Sequence, residues 1–177
     1  MPGTQRPSTL VLGLGNPLLG DDGVGLVVAA GVKARLRAEA DVEVDVESCG
    51  GLRLMERIAG YRHLVLVDAL CSAEAVPGSV WLLGPNDVPT WNAGSSHDIT
   101  LPTALRLGQE LGLAMPEDVG IVAVAAQDVF DFRESLCPAV AASVPLAVEL
   151  VLRELAACVA KWNGDAGGTP GSGQEGT

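Results

Sequence analysis

Short apolar runs alternate along this chain with segments of helical periodicity, and no other feature restricts its fold as strongly. Continuous apolar runs stand at 9–15, 63–70 and 119–126, whereas residues 42–48 alternate apolar and acidic side chains. Continuous runs are typical of strands covered on both faces, and alternation is typical of a strand with one face towards water. The pattern therefore predicts a sheet whose central strands are buried between two layers.

Four segments have the periodicity of helices, namely 22–38, 51–60, 98–112 and 137–161. A strand, helix, strand order favours parallel strands with right-handed crossovers, and it places helices on both faces of the sheet. Residues 77–84 predict a further strand, which follows the third too closely for a helical crossover and should be antiparallel or at an edge. The predicted fold is α/β, a three-layer αβα sandwich with a mostly parallel twisted sheet of about five strands.

Length and charge restrict the number of domains and the class of partner. The 177 residues suffice for one domain, predicted at 1–162, and the glycine-rich residues 163–177 are predicted to be a disordered tail. A net charge of -11 argues against nucleic acid, because phosphate binding needs clustered Lys and Arg, and the 11 present are scattered. The sequence gives no indication of the oligomeric state.

Neither a membrane span nor a targeting segment is expected. The most apolar late segment, 141–160, carries Glu149, Arg153 and Glu154, too many charges for a membrane-spanning helix. The N-terminal residues lack the apolar stretch of a signal peptide, so we expect a cytoplasmic protein. The cysteines show neither CxxC pairing nor zinc-like spacing and are expected to be free thiols: Cys49, Cys71, Cys137 and Cys158.

A glycine-rich loop, GLGNPLLGDDGVG at 13–25, follows the first strand. It lacks the third glycine of a dinucleotide fingerprint, where Leu18 stands, and it lacks the Gly-Lys pair of a phosphate-binding loop. Asp21 and Asp22 would also repel phosphate from the start of the following helix. Capping of that helix is the interpretation we favour for Asp21, and for Asp22 capping and a functional role are equally favoured.

Polar side chains converge at the edge where the parallel strands end, which is where open α/β sheets bind ligands. Asn16 and Asp22 follow the first strand, Asp68 interrupts the third, and the long loop after the fourth is able to deliver His97. Two carboxylates and an imidazole suit nickel, iron, zinc or manganese, with coordination positions left open. His63 begins its strand and is interpreted as structural, at the opposite edge.

Structural alternatives remain for the same residues. The Asp68 carboxylate could accept backbone amides from the adjacent loop, and His97 could be an ordinary polar residue in the first turn of a helix. The sequence contains no Gly-x-Ser-x-Gly elbow and no His-Glu-x-x-His motif, so conventional serine and zinc proteases are disfavoured.

The chain resembles the nickel-iron hydrogenase maturation proteases over residues 9 to about 160. The strongest motif is GNPLLGDDGVG at 15–25, and it is followed in order by VLVDAL, PGSVWLL, SSHDITLPTAL and a last helix with Pro145. The resemblance implies an endopeptidase that trims a C-terminal extension from the hydrogenase large-subunit precursor. It also implies that nickel, the metal recognised, is already present in that precursor, so the protease needs no cofactor of its own.

The same resemblance implies the residues of the site. Asp22, Asp68 and His97 occupy the positions of the metal ligands, although the first position is often Glu in the family. Two ways of cleaving the peptide bond stay open: Asp22 or Asp68 activates water, or the nickel of the substrate organises the scissile segment. Asn16 and the loop glycines are expected to shape the site.

One segment departs from the family pattern and keeps a rival hypothesis open. Many members have Asp-Gly-Gly-Thr after the second strand, whereas this chain has SCGGL at 48–52. The rival is a non-cleaving chaperone or docking module that senses the metal of the same precursor. A third possibility is a small-molecule-binding α/β domain in which the Asp and His residues are structural.

Overall fold

The computed structural model describes residues 8–37, 41–48, 50–72, 74–85, 87 and 101–165. A one-turn 3-10 helix at Gly20–Gly23 precedes the first long helix. The other elements in chain order are β1 (Thr9–Leu14), α1 (Val24–Arg35), β2 (Val42–Glu47), α2 (Gly51–Ile58), β3 (His63–Leu70), β4 (Val80–Leu83), α3 (Leu101–Glu110), β5 (Asp118–Ala125) and α4 (Pro138–Asp165).

The five strands form one sheet in the order β2-β1-β3-β5-β4. The first four strands in this order run parallel, and β4 pairs antiparallel with β5 at the edge. The predicted α/β class and mostly parallel sheet are confirmed, as is the position of the fourth strand. The chain moves from β1 to β2 in one direction and then returns past β1 to β3, so the strand order reverses between β1 and β3.

Leucine and valine separate onto the two faces of this sheet. Alternate residues of β1 and β3 belong to different clusters, because successive side chains of a strand point to opposite faces. One cluster contains Leu10, Leu12, Leu64 and Leu66 with residues of α2 and α3. The other contains Val11, Val65 and Val67 with residues of α1 and α4. Each fully buried side chain of this size contributes roughly 1.5–3 kcal/mol, so both helical layers are needed to cover the sheet.

The first predicted helix begins later than expected. Residues 20–23 form a tight 3-10 turn in place of the first α-helical turn, and the α-helix starts at Val24. Gly20 allows this turn through its φ of 56°, a conformation that side chains disfavour. The later start brings Asp21 and Asp22 into the turn itself, where both are buried.

The C-terminal part matches the predicted helix and extends it. Helix α4 reaches Asp165, beyond the predicted end of the domain at 162, and residues 166–177 of the predicted tail lie outside the described residues. Among the described residues, no helix combines the length and apolar character needed to cross a membrane.

Candidate active site

The reversal of strand order between β1 and β3 creates the crevice that binds ligands in open α/β sheets. The one-turn helix after β1 packs against β3, and Gly13 of β1 lies beside Val67 of β3 in the parallel register. Asp22 belongs to that turn, and Asp68 follows Val67. The two predicted carboxylates therefore converge, and the negative charge of Asp22 acts directly on the Asp68 carboxyl.

Asp22 closes the loop that follows β1. Its Oδ2 accepts a hydrogen bond of 2.7 Å from the amide of Asn16, and Asp22 as a whole is 9% exposed. Asn16 in turn accepts a 3.0 Å bond at Oδ1 from the amide of Leu18. Among the described residues, Asp22 Oδ1 accepts no hydrogen bond. The turn thus holds a buried carboxylate with one oxygen occupied by the backbone and one oxygen available to a ligand.

Gly15 is required by the close approach of this turn. Its φ is 141°, and a Cβ placed there would lie 1.8 Å from the carbonyl oxygen of Asp22. No side chain fits this space without moving the turn. The glycine at this position therefore serves close backbone packing around Asp22, and Gly25 does the same against Leu14 and Val67.

Asp68 lies two residues before the end of β3, beside Ala123 of β5. Its Oδ1 accepts a hydrogen bond of 2.8 Å from the amide of Ala69. Within the part of the chain that the structure describes, no amide of the following loop reaches this carboxylate. Burial and then the charge of Asp22 raise the pKa of Asp68 to about 7, and the bond from Ala69 opposes this only partly.

The third predicted ligand, His97, and Cys49 of the SCGGL segment lie outside the described residues. No group of three metal-binding side chains occurs among those that are described. The role of His97 stays a prediction.

His63 begins β3 at the opposite edge, as expected, where its Nδ1 lies 3.3 Å from Asp118 Oδ2. Among the described residues, Cys71, Cys137 and Cys158 form no disulfide, as predicted.

Asp21 does not cap the helix, and that prediction is wrong. Its carboxylate, fully buried, accepts bonds from the amides of Cys137 at 2.6 Å, Gln127 at 2.9 Å and Asp128 at 3.4 Å. Arg133 Nη2 lies 3.9 Å from the same carboxylate. Burial alone would raise the pKa of Asp21, but these amides outweigh it and lower the pKa. Asp21 therefore fastens the 127–137 segment to the site loop.

Two neighbours of the carboxylate pair were missed from the sequence. Cys71 follows β3, is half-buried, and has a raised pKa because of burial and the charges of Asp22, Asp68 and Asp128. Asp128 follows β5 at the same edge. The rule that placed Asp22 and Asp68 at the ends of parallel strands applies to both residues and would have found them.

The raised pKa of Asp68 predicts that the metal-free protein loses stability as the pH rises. The folded state holds the proton up to about pH 7, whereas an unfolded chain releases it near 3.8. Stability should therefore fall between about pH 4 and pH 7 and then level off. We expect Asp68→Asn to be more stabilising at pH 8 than at pH 5, by on the order of 2 kcal/mol.

Urea unfolding of the metal-free wild type and the Asp68→Asn variant at the two pH values measures this difference. Glu117→Gln is the matched control, because Glu117 forms an exposed ion pair with Arg62 at the opposite edge. An equal effect of Asp68→Asn at both pH values would show that the folded protein does not hold this proton.

The buried carboxylate of Asp22 and the partly buried carboxylate of Asp68 are hard ligands suited to a divalent cation, and either is also suited to accept a proton from water. Comparison with known proteins identifies the family of the chain. The family model of hydrogenase maturation proteases matches residues 28–154. The chain therefore belongs to the hydrogenase maturation protease family, and its prediction as a peptidase is confirmed at that level.

Individual relatives support the family across most of the chain. The hydrogenase 2 maturation protease of Escherichia coli K12 is 30% identical over 148 residues, covering 82% of this chain and 89% of that protein. The hydrogenase expression/formation protein HupD of Rhodobacter capsulatus is 26% identical, covering 89% of this chain and 75% of that protein. The structure of the hydrogenase maturating endopeptidase HybD from E. coli superposes with a TM-score of 0.72 at 26% identity, covering 85% of this chain and 93% of that one.

Proposed function

We propose that this protein removes a C-terminal extension from the nickel-loaded precursor of a nickel-iron hydrogenase large subunit. The observation that carries the proposal is the convergence of Asp22 and Asp68 at the switch point of the sheet, in a member of this protease family. A net charge of -11 favours a protein partner over nucleic acid. We place the reaction in the cytoplasm.

In the proposed reaction, nickel is part of the substrate. Asp22 and Asp68, together with His97, are proposed to contact it, and its positive charge offsets the repulsion between the two carboxylates. That repulsion, with burial, is what raises the pKa of Asp68 to about 7. Docking of a cation therefore favours the ionised form of Asp68.

The proposed catalytic step is general-base activation of water by Asp22 or Asp68. Asp22 has one oxygen fixed by the Asn16 amide, which sets the direction of the other. The Ala69 amide fixes one oxygen of Asp68 in the same way. Each carboxylate is thus oriented by a backbone bond, and as a general base it would need the water within hydrogen-bond reach of its other oxygen.

Intact mass spectrometry of the precursor tests the proposal. The precursor is incubated with the protein after loading with nickel, and in parallel without nickel. We expect loss of a C-terminal fragment only when both nickel and the protein are present. An unchanged mass together with a stable complex would support the rival docking module, and absence of any complex would support the small-molecule-binding domain.

A further inference from the structure

The segment between β5 and α4 exposes the two phenylalanines of the chain. Phe130 is 67% exposed and Phe132 is 87% exposed, and Leu18 of the site loop is 48% exposed. Scattered apolar side chains on a surface need no explanation, but large aromatic residues in one short segment are unusual in a chain with only 3% aromatic residues. We define Phe130, Phe132 and Leu18 as the aromatic patch.

The backbone beneath the patch is tied down at several points. Asp128 Oδ1 accepts bonds from the amides of Phe130 at 2.9 Å and Asp131 at 3.3 Å. The Gly20 amide donates to Arg133 O at 2.6 Å, and the Arg133 amide donates to Leu18 O at 3.0 Å. The segment is therefore held in a defined shape while its aromatic side chains remain in water.

The same bonds attach the segment that carries the patch to the loop that carries Asp22. The Asp21 carboxylate receives amides from both ends of the segment, at Gln127 and Cys137, and Asp21 is the immediate neighbour of Asp22. Asp128 is close enough to Cys71 for its charge to act on that thiol together with those of Asp22 and Asp68. The segment therefore lies at the same edge of the sheet as the carboxylate pair.

Charge indicates the chemistry of the occupant. Asp131 and Glu134 are exposed within the segment, and Asp128 lies at its base. Arg133 is the cation of the segment. Its Nε donates a hydrogen bond of 3.0 Å to Ser135 O, and its Nη2 lies near the buried carboxylate of Asp21. An apolar surface with an acidic border complements apolar side chains bordered by Lys or Arg.

We propose that the aromatic patch is the docking surface for the hydrogenase large-subunit precursor, at a site on the precursor where apolar side chains are bordered by basic ones. This inference rests on the proposed function for the identity of the partner. The patch supplies affinity, whereas Asp22 and Asp68 supply recognition of the metal and the chemistry. Aromatic anchors in such surfaces commonly carry most of the binding energy.

The test compares Phe130→Ser/Phe132→Ser with Leu111→Ser. Leu111 is 60% exposed, just after α3 at the edge where β3 and β5 begin, so it matches the patch in exposure and differs in position. Affinity is measured with nickel-free precursor, which reports docking without turnover. We expect at least about 30-fold weaker binding for the double variant and no change for Leu111→Ser.

Turnover of nickel-loaded precursor separates docking from chemistry. The double variant should raise KM and leave kcat near that of the wild type, and both variants should unfold as the wild type does. Unchanged affinity of the double variant overturns the docking surface, as does a wild type that binds no precursor. Loss of binding in the double variant, with a wild type that never cleaves, supports the docking surface and refutes the proposed endopeptidase.

Discussion

Asp68→Asn is expected to abolish cleavage of the nickel-loaded precursor, with kcat/KM falling by about 10³-fold or more. The substitution keeps the shape of the side chain and an oxygen for the Ala69 amide, but it removes the charge that attracts the metal and the group that accepts a proton. Because it also removes a partly buried carboxyl whose pKa is raised, the variant should be more stable than the wild type at pH 8. Lost activity with gained stability is a signature that a purely structural residue does not give.

Asp22→Asn should inactivate the protein in the same way. An asparagine oxygen is still able to accept the Asn16 amide, so the turn survives while the charge is lost. Cleavage of nickel-loaded precursor is followed by intact mass, and the fold is checked by circular dichroism and urea unfolding. Glu117→Gln again provides the control. Normal cleavage by either variant would remove that carboxylate from the proposed site.

Unlike the Asp22→Asn and Asp68→Asn variants, which lose activity, the Asp21→Asn variant is expected to lose stability. Its free energy of unfolding should fall by about 3 kcal/mol or more. Both oxygens of Asp21 accept backbone amides, Oδ1 from Cys137 and Oδ2 from Gln127 and Asp128. An asparagine must present its amino group to one of these donors, which leaves a buried amide without an acceptor. The adjacent pair Asp21→Asn and Asp22→Asn is therefore a sharp comparison: the first removes stability and the second removes activity.

The pH dependence of this loss has a defined sign. The pKa of Asp21 is lowered in the folded protein, so its carboxylate contributes stability above the unfolded value of 3.8, and this contribution is lost as the pH falls further towards the folded value. Urea unfolding from pH 7 down to pH 3 should show the wild type and Asp21→Asn approaching each other at the acidic end. A difference in stability that stays constant over this range would show that the Asp21 charge does not hold the segment.

The parts of this structure that sequence predicts are those governed by local patterns. Apolar runs at β1, β3 and β5 identify buried parallel strands, because only such strands tolerate apolar side chains on both faces. The rule for strand ends then places Asp22 and Asp68 together without any knowledge of contacts. The long loop after the fourth strand adds His97 as a candidate, and motif resemblance adds the family, but the described residues do not test His97.

The features that escaped prediction depend on contacts between distant positions. Asp21 was interpreted as a local cap, although its partners are 106 to 116 residues away in sequence. Nothing in the local pattern of 127–137 shows that this segment returns to the first loop. For the same reason, the exposed positions of Phe130 and Phe132 could not be predicted, since apolar residues in a sequence are ordinarily assigned to the core.

Binding measured with and without nickel, and with and without each carboxylate, tests most directly whether Asp22 and Asp68 contact nickel carried by the precursor. The wild type, Asp22→Asn and Asp68→Asn are each titrated with nickel-loaded and nickel-free precursor. If the carboxylates contact the metal, the wild type binds the nickel-loaded form more tightly, and each variant loses most of that preference. Variants that keep the full preference for nickel, while binding both forms normally, would contradict the claim.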